Sequence, residues 1–191
     1  MTKKFVMLLS GSVLLSALTA SPGHSCVGRI LNFSIDGSPE QKAAGQLMAT
    51  YINERTGTTV NLVENPTTTD GSCPADADIC IQYLKPALAG MGGEQPQDAQ
   101  EAYSRAKEYY LENKQMVWLK PFSFKGSADS STAVPVSPRA SLTKFPVLDR
   151  VINKLSGMIT DDALQEMMNK LQGSSDPAVA AKEFLKSRKL I

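Results

Sequence analysis

Histidine is almost missing from this chain: one, His24, in 191 residues. A Ser-His-Asp triad and a metal–histidine cluster both need more, so most hydrolytic and metal chemistry is disfavoured. An excess of positive charge is missing too. Twenty Lys and Arg face 19 Asp and Glu, for a net charge of +1. No basic run exceeds Lys3-Lys4, so the stripe that marks a nucleic-acid binder is absent and no nucleic acid is expected as a partner. No apolar run is long enough to favour a stable membrane span; the longest, Phe5 to Leu18, falls short of the usual length. What is present is a globular balance, 42% hydrophobic and 20% charged, rather than a disordered one.

The first 25 residues read as an address. Lys3 and Lys4 form a positive start, FVMLLSGSVLLSAL an apolar middle, and Ala20 and Ser25 are small-residue cleavage points. The competing reading of that apolar stretch is a membrane anchor. Cys26 adds lipid attachment as a third option, although Gly23-His24-Ser25 lacks the aliphatic residue that usually precedes a lipidated cysteine. Cleavage after Ser25 would leave 166 residues with 18 basic and 19 acidic side chains, and no imidazole. Acid–base catalysis near neutral pH would then need a perturbed carboxylate or lysine. Export, to the periplasm or cell envelope, also changes how Cys73 and Cys80 read. Seven positions apart, they form a disulfide in an oxidising compartment or remain two buried thiols; Cys26 is the odd one out.

Residues 26–191 read as one domain. Val27 to Phe33 is a short apolar strand. Ser38-Pro39-Glu40 opens a helix with proline at its first position, and Gly57 ends it. Thr58 to Val63 alternates as a second strand, which completes a right-handed βαβ unit with parallel strands. Glu64 to Ala77 is loop, Ile79 to Tyr83 a third strand, and Pro86 to Pro96 a Gly- and Pro-rich segment. Ala99 to Leu111 is helical, Met116 to Leu119 a strand, and Lys125 to Ser131 a linker. Thr132 to Val136 is a last strand. Three helices follow: Phe145 to Leu155, Asp161 to Leu171 with Thr160 as its N-cap, and one opened by Asp176-Pro177 that runs to about Arg188.

The C-terminal segment resembles a known family. Leu155-Ser156-Gly157, Ile159-Thr160-Asp161, Asp176-Pro177, Ala181-Lys182-Glu183-Phe184-Leu185 and Leu190-Ile191 fit the end of the glycine betaine/choline-type substrate-binding proteins of ABC importers. Trp118-Leu119-Lys120-Pro121 with Phe124 is similar to that family's "WLkP…F" strand. Asp78, Ile79, Tyr83, Ala87 and Leu88 fall in register with its binding-strand motif, and Glu40-Gln41 with its turn into the first helix. The resemblance implies a type II periplasmic binding protein fold: an α/β domain, mostly parallel sheet, with helices on both faces. It also implies a quaternary ammonium ligand held by aromatic faces, an ABC permease as partner, and no cofactor.

The departures matter as much. Where the family continues into a second lobe, this chain has only the linker 125–131, so one lobe is expected. The family's Tyr-Pro-Glu-Tyr-Thr-Gly-Thr becomes Cys80-Ile81-Gln82-Tyr83-Leu84-Lys85-Pro86, which keeps one tyrosine. Lys85 would repel a cation. The resemblance makes Tyr83, Glu40, Gln41 and Trp118 the candidate ligand residues. Each has a plainer role: a strand-end tyrosine, a first-turn acid, a surface glutamine and a core tryptophan. Asp78 is a lone carboxylate with no visible partner. Two functions compete. One is a reduced solute-binding protein, in which two copies could face each other to rebuild a cleft as a homodimer. The other is a protein-interaction or regulatory remnant without a ligand. An exported enzyme is the least supported reading, since no catalytic constellation appears.

Overall fold

A computed structural model describes residues 28–66, 68, 70–92, 96, 98–125 and 131–191. The signal segment, Cys26 and most of the linker lie outside them.

The first βαβ unit forms as its residues dictate. Strand β1, Ile30–Ile35, begins and ends later than its apolar run suggests, because Ser34 and Ile35 are buried in the sheet as well. Helix α1, Pro39–Thr56, starts where Ser38 Oγ accepts from the Gln41 N–H. It stops at Gly57, whose φ of 69° suits a residue without Cβ. Strand β2, Thr59–Glu64, runs parallel to β1. Strand β3, Ile79–Tyr83, lies on the other side of β1 and is also parallel to it.

The segment after β3 is not the irregular stretch its glycines and prolines suggest. Helix α2 spans Leu84–Met91. Pro86 stands in its first turn, where a missing N–H costs nothing. Helix α3, Ala99–Lys114, leads to strand β4, Met116–Trp118. Strand β5, Ala133–Pro138, pairs antiparallel with both β3 and β4. The sheet order is β2-β1-β3-β5-β4, with four strands running one way and β5 against them. A short helix absent from the periodicity, α4 at Arg139–Lys144, precedes α5, Leu148–Ser156. Helices α6, Asp161–Gly173, and α7, Pro177–Ser187, have Thr160 and Asp176 as N-caps, as their sequences announce.

Helices cover both faces of the sheet. On one, Leu31, Phe33, Ile35, Ile79 and Ile81 pack against α1, α5, α6 and α7. On the other, Cys80, Trp118, Val134 and Val136 pack against α2 and α3. Alternation along each strand sends neighbouring residues to opposite cores. No helix among the described residues is long and apolar enough to cross a membrane.

Candidate functional site

The topology marks one edge of the sheet. From β1 the chain crosses to β2 on one side, while β3 lies on the other. The carboxyl ends of β1 and β3 therefore flank a switch point, the usual place for a ligand in open α/β sheets. Asp36 follows β1 there, α1 begins there, and Tyr83 ends β3 there.

Local hydrogen bonds fix the turn between β1 and α1. Asp36 Oδ1 accepts from the Ser38 N–H at 2.9 Å and the Ser38 hydroxyl at 2.6 Å. Gln41 Oε1 accepts from the Asp36 N–H at 2.9 Å, which aims the amide back over the turn. Gln41 is 1% exposed, and among the described residues its Nε2 has no hydrogen bond of normal geometry. The Tyr83 phenol lies beside this group. Its burial pushes its pKa up, with the Asp36 and Glu40 carboxylates adding to the rise. Hydrogen bonding with the Gln41 and Ser38 side chains pulls in the opposite direction. Tyr83 thus stays a neutral donor at any physiological pH.

The enclosed space is small. A cavity of about 10 Å³ lies between Asp36, Gln41, Asn65 and Gln82, room for one water. A larger ligand would rest on the open edge rather than inside it. Exposed Lys85 lies two residues beyond Tyr83, with its backbone N–H donating to Ser131 Oγ at 2.8 Å.

Of the four sequence candidates, the fold brings three together: Tyr83, Gln41 and half-buried Glu40. The plain reading of Gln41 as a surface residue is corrected by its burial. Trp118 is corrected in the other direction. It is fully buried, stacked on Tyr110 with centroids 5.2 Å apart, inside the α2/α3 core. It cannot present a ring to a ligand at this edge. Cys73 and Cys80 form a disulfide that ties the loop before β3 to the same core. Asp78, read as partnerless, has three partners. Its carboxylate accepts from the Asn32 N–H at 3.0 Å and the Ser141 hydroxyl at 2.9 Å, and pairs with Lys144 at 3.4 Å. It pins α4 to the amino ends of β1 and β3, far from the switch point. Asn65 and Gln82 at the small cavity were not singled out by sequence; no local pattern distinguishes them.

No family model matches the sequence. Solved structures do match the fold. A glycine betaine/carnitine/choline ABC transporter structure superposes with a TM-score of 0.69 at 13% identity, over 85% of this chain and 98% of that one. The chain shares this binding-protein fold. Apo YehZ from Escherichia coli gives a TM-score of 0.67 at 12% identity, over 84% and 99%. An ABC-transporter choline binding protein in complex with choline gives 0.50 at 13% identity, over 84% and 89%. Two of these neighbours are named for ABC transport, one of them as a choline binding protein.

Proposed function

We propose that this chain is the exported binding component of an ABC importer for quaternary ammonium solutes, working through one lobe. It acts by binding rather than by catalysis. The observation that carries this reading is the buried Gln41 amide set against the Tyr83 phenol at the switch point. Both donors suit an oxygen on the ligand, and the Tyr83 ring offers a face to a cation. The Asp36 and Glu40 carboxylates add negative potential there. The shared fold supports the same class. Export to the periplasm or cell envelope and a permease partner belong to this proposal, as does lipid attachment at Cys26. So does the reading of residues 125–131 as a linker in place of a second lobe.

Affinity follows from the exposed edge. One aromatic face supplies roughly 0.5–2 kcal/mol, depending on desolvation. Two donors add little more while water still reaches them. About 4 kcal/mol corresponds to millimolar binding. Calorimetry of the chain with glycine betaine, choline and carnitine tests this. Binding near millimolar that Tyr83→Ala abolishes is the expected result. Micromolar binding by a monomer would overturn the one-lobe argument. No heat with any of the three would favour the ligand-free remnant, a reading that the water-sized cavity supports.

A further inference from the structure

Strand β2 is an edge of the sheet: among the described residues nothing pairs with its outer side. Edge strands usually carry a proline, a lysine, a bulge or a cover that prevents further pairing. β2 reads Thr-Val-Asn-Leu-Val-Glu, with no proline and no lysine, and pairs with β1 without interruption over six residues. The Thr59 N–H donates to Arg29 O and the Asn65 N–H to Ile35 O. In a parallel ladder alternate residues face the partner, so 59, 61, 63 and 65 face β1. Val60, Leu62 and Glu64 therefore direct their backbone N–H and C=O groups outward.

The same three residues line two grooves that meet at Gln46 on α1. One, about 310 Å³, is bordered by Ile35, Leu62, Leu171 and Pro177. The other, about 290 Å³, is bordered by Ala49, Val60, Ala178 and Val179. Each outer end carries one ion pair. Lys42 and Glu64 are 3.0 Å apart at the first, Lys182 and Glu54 2.7 Å apart at the second.

The geometry points to a second copy of this chain as the occupant, with β2 pairing antiparallel to β2 about a two-fold axis at Leu62. This register places every outward-facing backbone group of β2 opposite its counterpart. Leu62 meets Leu62, and Val60 meets Glu64. The grooves then join end to end with their apolar walls on one face. The two-fold also sets the Lys42–Glu64 pair of one copy beside the Glu54–Lys182 pair of the other, so each cation gains a second anion within its surroundings. No like charges oppose each other along the strand. The result is a ten-stranded sheet whose two switch points open in opposite directions. Ligand binding and dimerisation are therefore separate, and neither test depends on the other.

Sedimentation of the full-length chain tests this, with melting curves to check folding. The native chain should be a dimer at micromolar concentration. Leu62→Lys places two ammonium groups opposite each other on the axis and should weaken the dimer at least about tenfold. Because Leu62 is half-buried, a second variant guards against simple misfolding. In a Cys26→Ser background, Leu62→Cys should cross-link on oxidation, since opposed residues in a hydrogen-bonded antiparallel pair have Cα atoms about 5.5 Å apart, within disulfide reach. Val63→Cys, opposite Asn61 on the other face, should not. A chain that stays monomeric, including one whose edge is taken by its own N-terminal segment or needs a permease, overturns the proposal. So does a dimer indifferent to Leu62→Lys that forms no Leu62→Cys cross-link.

Discussion

The two faces of the sheet are held by different means. The face under α1, α5, α6 and α7 is an aliphatic and phenyl core: Leu31, Phe33, Leu47, Ile52, Phe145, Leu148, Phe184 and Leu185 are all at most 2% exposed. The face under α2 and α3 is smaller and more polar. It contains the disulfide, the Tyr110–Trp118 stack, and a buried Trp118 Nε1 with no hydrogen-bond partner among the described residues. Apolar burial gives roughly 25 cal/mol per Å², so the first face holds itself together by area alone. The second has fewer such side chains and gains from a cross-link that restricts the unfolded chain. The difference suggests a division of labour. The large core sets the fold, and the small one fixes the loop that leads into β3 and Tyr83.

The largest expected effect lies on the large face. Phe33→Ala should lose about 3–5 kcal/mol of stability, since it leaves a cavity between β1 and α1. Urea denaturation measures it. A loss under about 1 kcal/mol would mean that the core collapses around the gap and that the contrast between the faces is overstated.

The cross-link is next. Replacing Cys73 and Cys80 by Ala together should cost about 2–3 kcal/mol, the loop-closure value for so short a segment. The chain's single tryptophan offers a second readout. Trp118 and the disulfide share one core: Val136 pairs with Trp118 on one side and Cys80 on the other, and Cys73 Sγ touches the Val136 carbonyl oxygen at 3.2 Å. That contact carries no proton, because the sulfur is bonded to Cys80. A nearby disulfide quenches an excited indole, so opening the bridge should raise Trp118 emission without shifting it to the red. A red shift would mean that the small core has opened, and that the bridge is needed for folding rather than for extra stability.

How these features showed in the sequence depends on how local their causes are. Helix starts were legible because caps are local: Ser38-Pro39, Thr160 and Asp176-Pro177 each mark a start that the structure keeps. Helix α2 is hidden in the sequence because Pro86 and Gly90 stand inside it and Gly92, Gly93 and Pro96 follow closely, although proline in a first turn is harmless. Six-residue α4 is too short to show a helical period. Asp78 seemed alone since its partners Asn32, Ser141 and Lys144 are 46, 63 and 66 positions away. Tyr83, Glu40 and Gln41 were legible only through resemblance. Glutamine is mostly a surface residue, so nothing in composition foretold a buried Gln41 amide set against the Tyr83 phenol.

A smaller effect tests how closely the loop of the small face is packed. Gly71 has φ +71°, and a Cβ there would fall 2.3 Å from Tyr110 Cζ. Gly71→Ala should cost about 2 kcal/mol, by strain and by displacing the ring from Trp118. Near-native stability, read from a melting curve, would show that the loop shifts freely and that the bridge alone holds it.

The smallest effect appears only in alkali. The Tyr110 hydroxyl donates to the Ala87 carbonyl at 2.8 Å. Burial raises its pKa from 10.0 to about 12, with the Asp70 carboxylate and the Tyr109 phenol adding to the shift. The folded chain therefore holds this proton more tightly than the unfolded chain. The resulting stability is fully present below about pH 10 and is lost as pH rises towards 12, because the unfolded phenol ionises first. Tyr110→Phe should cost about 1 kcal/mol at neutral pH, through the lost hydrogen bond to Ala87. It should also flatten the fall in stability between pH 10 and 12. Some slope should remain, since burial raises Tyr83 and Tyr103 as well. Urea midpoints at pH 9 and 11 for the two proteins decide the matter. Parallel losses would mean that water reaches the Tyr110 phenol, and that the small face is looser than its packing against Trp118 implies.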